Sequence, residues 1–449
     1  MDENGSDKSS SEEESFTSIE LSIGNNKWIV LLSLCLALII NGSSYSYYIS
    51  LTTIFQKTYE IPLYVIQMAY AMYPLCYIPA TYIIGDYLLK NLSKYACLFV
   101  SITGLLLCVW VRALINFSFA FVFISNIFKG LASPLFMNII SKTSNDWFPQ
   151  NQRILATVIS IVCMNFGNAV GFVVSPLVIG DYSDPYETQI KIRKSTIIYA
   201  EISTLLFFIS LILYRNDPKI LNSSNEENER KNENTRENLT ILIKNRNFMK
   251  LYFFVVVPII LSNTSGALIG ALYIPFGFDP KQSGVLGAVV IGCGVLSAFV
   301  ISIIVGETKK YKLFSILLNF LQVFSYLAII LCAPLNKLGL LLICGGLLGA
   351  SGTPLYAFGL EYGNELGYPV GKASISGFIL SSASFLTFIS VSLSGIIMGE
   401  GTKGGSYIYH TICICILIIC TFLSFITEET LNRQESENIK AIIDTENQF

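Results

Sequence analysis

The sequence predicts an all-α, polytopic membrane protein of twelve transmembrane helices in two six-helix pseudo-repeats. Three observations predict it. Twelve long apolar stretches run through the chain, and about 20 apolar residues are what it takes to cross the ~30 Å hydrocarbon core of a bilayer. They fall six and six around a charged, Asn/Glu/Lys-rich connector at Asp217 to Arg246. Charged residues make up 13% of the chain, against about 25% in a soluble domain, and the mean hydropathy is +0.58. Two equal halves around a polar linker also suggest a duplicated device whose halves rock against each other.

Residues 1–26 are polar and acidic (Asp2, Glu3, Glu12, Glu13, Glu14). They lack a positive region ahead of a short apolar core, so they read as a disordered cytosolic tail and not as a targeting peptide. The N-terminal bundle, 27–215, holds spans one to six at 28–54, 62–88, 94–114, 117–141, 153–178 and 195–214. The polar connector is 216–247. The C-terminal bundle, 248–428, holds spans seven to twelve at 249–275, 283–305, 312–332, 337–361, 372–397 and 406–427. A second polar tail, 429–449, closes the sequence. An even number of crossings puts both tails on one side. Lys90, Lys94, Lys142, Arg153, Lys309, Lys310, Lys312 and Lys372, together with the basic residues of the connector, favour that side as cytosolic. Lys191, Arg193 and Lys194 run against the rule.

The two halves echo each other. Between spans two and three stand Gly85-Asp86-Tyr87 and then Lys90 and Lys94; between spans eight and nine stand Gly306-Glu307-Thr308 and then Lys309, Lys310 and Lys312. An acid ending one helix and bases opening the next make a tight turn able to latch in one conformation and release in another. Asp86, Lys94, Glu307 and Lys310 are therefore expected to gate. Glu361 and Glu365, one helical turn apart at the end of span ten, join them as a gate near Lys372.

Polar groups inside a membrane are tolerated mainly where they face protein or a watery cavity. Asn41, Tyr45 and Tyr48 lie in span one, Asn165 in span five, Asn263 in span seven and Ser384 in span eleven, and these spans hold equivalent places in the two repeats and are expected to line the central cavity. These side chains are the expected substrate-binding residues, with Tyr73 and Tyr77 on one face of span two. Two other readings stay open: small hydroxyl residues also serve helix packing, and a tyrosine face also serves as ordinary packing or as a surface for a cation. Arg112 and Glu201 read as snorkelling charges. No acidic residue stands at mid-membrane, so facilitated diffusion is simpler than proton coupling.

Several function classes recede. A net charge of −2 without a basic block gives nucleic acid no purchase. The 11 cysteines are scattered through apolar spans without metal or haem spacing, and there is a single histidine, His410. No cofactor, metal or catalytic residue is expected, nor an enzyme. No filter motif marks a channel. The expected partners are a small-molecule substrate and the lipid bilayer, with the protein acting as a monomer.

Several stretches carry a family resemblance: Trp28-Ile29-Val30-Leu31 leading to Asn41, Tyr73 with Tyr77-Ile78-Pro79, Trp147-Phe148, Asn245-Arg246-Asn247-Phe248 and Gly345-Gly346. The most specific is Gly359-Leu360-Glu361-Tyr362-Gly363-Asn364-Glu365-Leu366-Gly367-Tyr368-Pro369 followed by Ser376-Gly377. In their order and spacing these resemble the feline leukaemia virus subgroup C receptor family, a branch of the major facilitator superfamily. The resemblance implies the major facilitator fold and alternating access. It implies choline or ethanolamine transport, with pyridoxine and haem as cargo elsewhere in the family. It also leaves open a receptor without transport, since the family is named for virus binding. Carried over position by position, the span-one Asn is kept as Asn41. The caging Trp is replaced by Tyr45, and the polar and aromatic cage positions fall on Asn165, Asn263 and Ser384. The cage is thus more polar than the family's. A choline-like cationic amine is the favoured cargo; another small metabolite, a vitamin or haem is the alternative.

Overall fold

The computed structural model describes residues 26–85, 94–214, 235–399 and 401–426. Every regular element among them is helical. Eleven helices are long and apolar enough to cross a membrane. The remaining crossing is span two, an α-helix over Leu63–Pro79 that continues through a π-helical turn at Ala80–Gly85. Its interior prolines, Pro74 and Pro79, each remove a backbone donor, and a single wide turn is a common repair at such a point. It carries Tyr64, Gln67, Tyr70, Tyr73, Tyr77 and Tyr82 along its length.

Span one starts at Asn26 and its first helix ends at Ser46. A short 3-10 turn, Ile49–Leu51, leads into a second helical piece, Thr52–Tyr59. Spans three to six are Lys94–Arg112, Ala120–Trp147, Gln150–Ile179 and Pro185–Leu213. A connector helix, Thr235–Lys244, leads to span seven, Arg246–Leu272. Spans eight to twelve are Pro280–Thr308, Tyr311–Cys332, Leu338–Leu366, Lys372–Met398 and Lys403–Ile426. Both described ends lie on one face of the bundle, here the tail side; the turns at 59–63, 179–185 and 272–280 mark the far side.

Small residues let the helices approach closely. A side chain at Gly42 of span one would overlap the carbonyl oxygen of Met164 on span five, and one at Gly167 would overlap that of Ile39. Outward positions such as Leu205, Ile212, Leu296, Phe299, Leu331 and Ile343 are exposed and apolar, as a lipid-facing surface requires.

The apolar cores are distributed unequally. On the tail side one core is built only from the first half (Leu34, Leu98, Phe136, Phe207) and another only from the second (Phe248, Phe254, Leu355, Tyr362). On the far side apolar cores cross between the halves: Ile49, Leu63 and Phe172 pack with Leu268, Leu272, Phe276 and Leu286, and Ala71 packs with Ala267 and Val391. There the backbones meet. A side chain at Gly270 of span seven would overlap the Ile49 carbonyl, and one at Gly284 of span eight would overlap that of Phe172. An exposed ion pair, Lys281 Nζ to Asp181 Oδ1 at 3.3 Å, spans the same seam. Spans two and eleven touch along more of their length, from Gly395 against Gln67 to Tyr82 Oη within 2.9 Å of Ser381 Oγ.

Candidate functional site

Where span one breaks at Ser46, its last carbonyls lose their intrahelical donors. Arg112, at the end of span three, supplies one. An Nη donates to Ser44 O at 2.5 Å, the other to Asn126 Oδ1 at 2.8 Å, and Nε to Ser125 Oγ at 3.1 Å. A cation is also the charge that a helix C-terminus favours. The guanidinium lies 5.1 Å from the centroid of the Tyr48 ring. Arg112 is 2% exposed, so it does not snorkel: a fully desolvated fork clamps spans one, three and four. Glu201 is exposed on span six beside Ile198, Ile202 and Leu205.

One turn further along span four stands Lys129, 1% exposed. Its Nζ donates to Asn41 O at 2.5 Å, Asn41 Oδ1 at 3.0 Å and Ser44 Oγ at 2.7 Å. Ser133, the next turn of the same helix, donates its hydroxyl to Asn41 Oδ1 at 3.0 Å. The ammonium lies 5.4 Å from the Tyr73 centroid. Tyr73 in turn pairs with Tyr45 at 5.1 Å and with Tyr77 at 6.4 Å. Both Tyr45 and Tyr73 are partly exposed. From the opposite half, Tyr356 of span ten is 37% exposed and lies within electrostatic range of Tyr73 and Tyr77. Asn41, Lys129, Ser133, Tyr45, Tyr73 and Tyr77 thus form one polar and aromatic patch at mid-span, faced by Tyr356.

Other expected site residues are placed differently. Tyr48 is 1% exposed and turns toward span six, its hydroxyl 2.5 Å from Thr196 Oγ1. It belongs to an aromatic core with Tyr47 and Phe55. Tyr70 packs beside it, donating to Tyr48 O at 2.9 Å. Asn165 donates to its own helix at Ile161 O, 3.0 Å, and Ser384 to Leu380 O, 2.8 Å; both are partly exposed. Asn263 is exposed on span seven, where Gly266 one turn on faces open space. His410 is buried, its Nδ1 2.7 Å from Ser406 O, among Tyr273, Tyr326 and Tyr409.

Of the expected gate, Asp86 lies outside the described residues. Lys94 opens span three. Glu307 and Lys310 are both exposed at a turn where Lys309 takes φ 55°, and among the described residues neither has an ion-pair partner. Glu361 is exposed, while Glu365 is 6% exposed.

The residue that the sequence reading passes over is Lys129. Its signal is plain in retrospect: a lysine in the middle of an apolar span, between Phe128 and Gly130, is a functional candidate by default.

Residues 34–384 match the family described as Major Facilitator Superfamily. The choline/ethanolamine transporter FLVCR2 of Homo sapiens is 23% identical over 437 residues, covering 93% of this chain and 80% of that protein. The choline/ethanolamine transporter flvcr2b of Danio rerio is 21% identical over 421 residues, covering 92% and 84%. Among solved structures, a bacterial homologue of the lysosomal transporter Spinster, inward-facing and unoccupied, aligns with a TM-score of 0.67 at 10% identity, over 90% of this chain and 97% of that one. The nucleoside transporter NupG aligns with a TM-score of 0.67 at 13% identity, over 89% and 100%.

Proposed function

Because the chain belongs to the major facilitator superfamily, a family of membrane transporters, we propose that it carries a small organic solute by alternating access, from a cavity at mid-span that opens to the tail side. One observation carries this: the two halves share an apolar core on the far side and keep separate cores on the tail side. Rocking about such a seam would exchange which face is open. With the tails cytosolic, as the basic loops favour, the conformation is inward-facing. Facilitated diffusion is the simplest mode for a cavity patch built from amides, hydroxyls, tyrosines and a lysine.

The named relatives extend the reading to choline or ethanolamine. The Tyr45–Tyr73 pair is what would recognise such a cation, since ring faces attract ammonium groups. Purified protein is screened by thermal shift against choline, ethanolamine, pyridoxine, amino acids and haem, and any stabilising solute is then followed as labelled uptake into proteoliposomes. Saturable uptake supports transport. A ligand that binds tightly yet never crosses would instead mark a receptor without transport and sink the proposal.

A further inference from the structure

We propose that the cavity prefers a small carboxylate-bearing solute, whose carboxylate docks on Lys129 and Ser133 in place of Asn41 Oδ1, over a bare quaternary ammonium. This rests on the transporter reading and names the substrate class of the same site.

The three partners of Lys129 decide its chemical form. Asn41 O and Asn41 Oδ1 are acceptors only. The Ser44 hydroxyl spends its own proton on Asn41 O, at 2.9 Å, leaving lone pairs for Lys129. Three acceptors around one amine are surroundings that favour its ammonium form over the neutral amine. Among the described residues it has no carboxylate at ion-pair distance, and neither has Arg112. Two buried basic groups therefore stand in the first half of the protein with carbonyls, amides, hydroxyls and the Tyr48 and Tyr73 rings around them, and no carboxylate among the described residues. A desolvated charge without a counter-ion is costly, and the field it leaves in the adjoining cavity is positive.

That field works against a cation and for an anion. A choline-like ammonium approaching Tyr73 meets a ring that already has the Lys129 ammonium over it, 5.4 Å from its centroid. An anion meets the opposite. Its place is marked by Asn41 Oδ1, an acceptor on which two donors of span four converge, Lys129 Nζ and Ser133 Oγ, each at 3.0 Å. An amide oxygen brings partial charge to that point. A carboxylate oxygen brings full charge to the same two donors, and such charge-assisted bonds are about twice as strong. The partly exposed Tyr45 and Tyr73 rings then flank the remainder of the solute.

Glycine betaine and choline carry the same trimethylammonium group and differ by a carboxylate in place of a hydroxymethyl; lactate has a carboxylate and no ammonium. Binding of each to the full-length detergent-purified protein is measured by titration calorimetry, with uptake into proteoliposomes alongside. Lactate or glycine betaine is expected to bind, and glycine betaine about tenfold tighter than choline, a modest yield for one desolvated charge pair. In Lys129→Gln that preference should vanish. Asn41→Asp, which installs a resident carboxylate at the docking point and keeps both donors bonded, should lose carboxylate binding and tolerate choline. The second variant carries the test if the first does not fold. Tighter binding of choline than glycine betaine, a preference unchanged in these variants, or no binding of either carboxylate would overturn the inference. Choline uptake indifferent to Lys129 would do so while upholding the transporter reading; absence of uptake for a bound solute strikes that reading instead.

Discussion

Lys129 Nζ closes to 2.5 Å on the carbonyl oxygen of Asn41 and to 3.0 Å on its side-chain Oδ1. An ammonium from span four thus grips both the backbone and the amide of the same residue on span one. The grip sits just below the point where span one breaks, and Arg112 seals the break itself.

Arg112→Met is expected to destabilise the protein. It uncaps Ser44 O and orphans Asn126 and Ser125 in one step, a loss of about 2–4 kcal/mol for a buried, charge-assisted network. Arg112→Lys should recover little, because one ammonium cannot reproduce a planar fork aimed at three separate groups. The thermal unfolding midpoint in detergent reads both; a wild-type midpoint in Arg112→Met would show that the break needs no cap.

Gly270→Leu is expected to hold the far side open. The added side chain has nowhere to go but into the Ile49 carbonyl, and the cheapest relief is separation of spans one and seven. Amide hydrogen exchange should rise in the peptides around 46–56 and 266–280, with transport abolished and the fold retained. Unchanged exchange there would mean that the seam relaxes in some other way.

Removing the far-side ion pair should matter much less. Lys281 and Asp181 are 41% and 74% exposed, and an exposed pair contributes roughly 0–1 kcal/mol. Asp181→Asn is expected to change uptake rates less than about threefold at low salt, and not at all at 0.5 M salt, about where screening erases surface pairs. A large, salt-independent defect would give Asp181 another task.

Two tyrosines three residues apart should separate cleanly. Tyr45 is partly exposed beside Tyr73, and Tyr48 is buried with its hydroxyl on Thr196. Tyr45→Ala should cut solute affinity with little change in midpoint. Tyr48→Phe should lower stability by about 1 kcal/mol, one buried hydrogen bond, and leave affinity alone. Binding and unfolding measured on both variants give the answer; equal effects on affinity would place Tyr48 in the cavity after all.

Hydropathy made the spans legible, because crossing a bilayer demands long apolar helices whatever the cargo. The same statistic does not see what a polar residue touches. Arg112 lies at the end of its span, where a charge ordinarily reaches water, yet it is desolvated by a break in span one that no local pattern announces. Asn165 and Ser384 lie on spans that hold places equivalent to that of Asn41's span in the two repeats. In space they bond to their own helices, while Asn41 gathers two donors from span four. Lys129 was legible in principle, since a lysine inside an apolar run is rarely idle. Its partner was not, because the pairing joins residues 88 apart in sequence.

The interruption of span one divides the helix into two rods with different duties. The longer one, Asn26–Ser46, is pinned by two cations to its own half. The shorter one begins past Ile49, whose carbonyl faces Gly270 across the seam. Ile54 and Phe55 anchor this shorter rod in the aromatic core with Tyr48, Ile66 and Ile192, so both rods belong to one half, and opening the far side must part Ile49 from Gly270 without bending the joint.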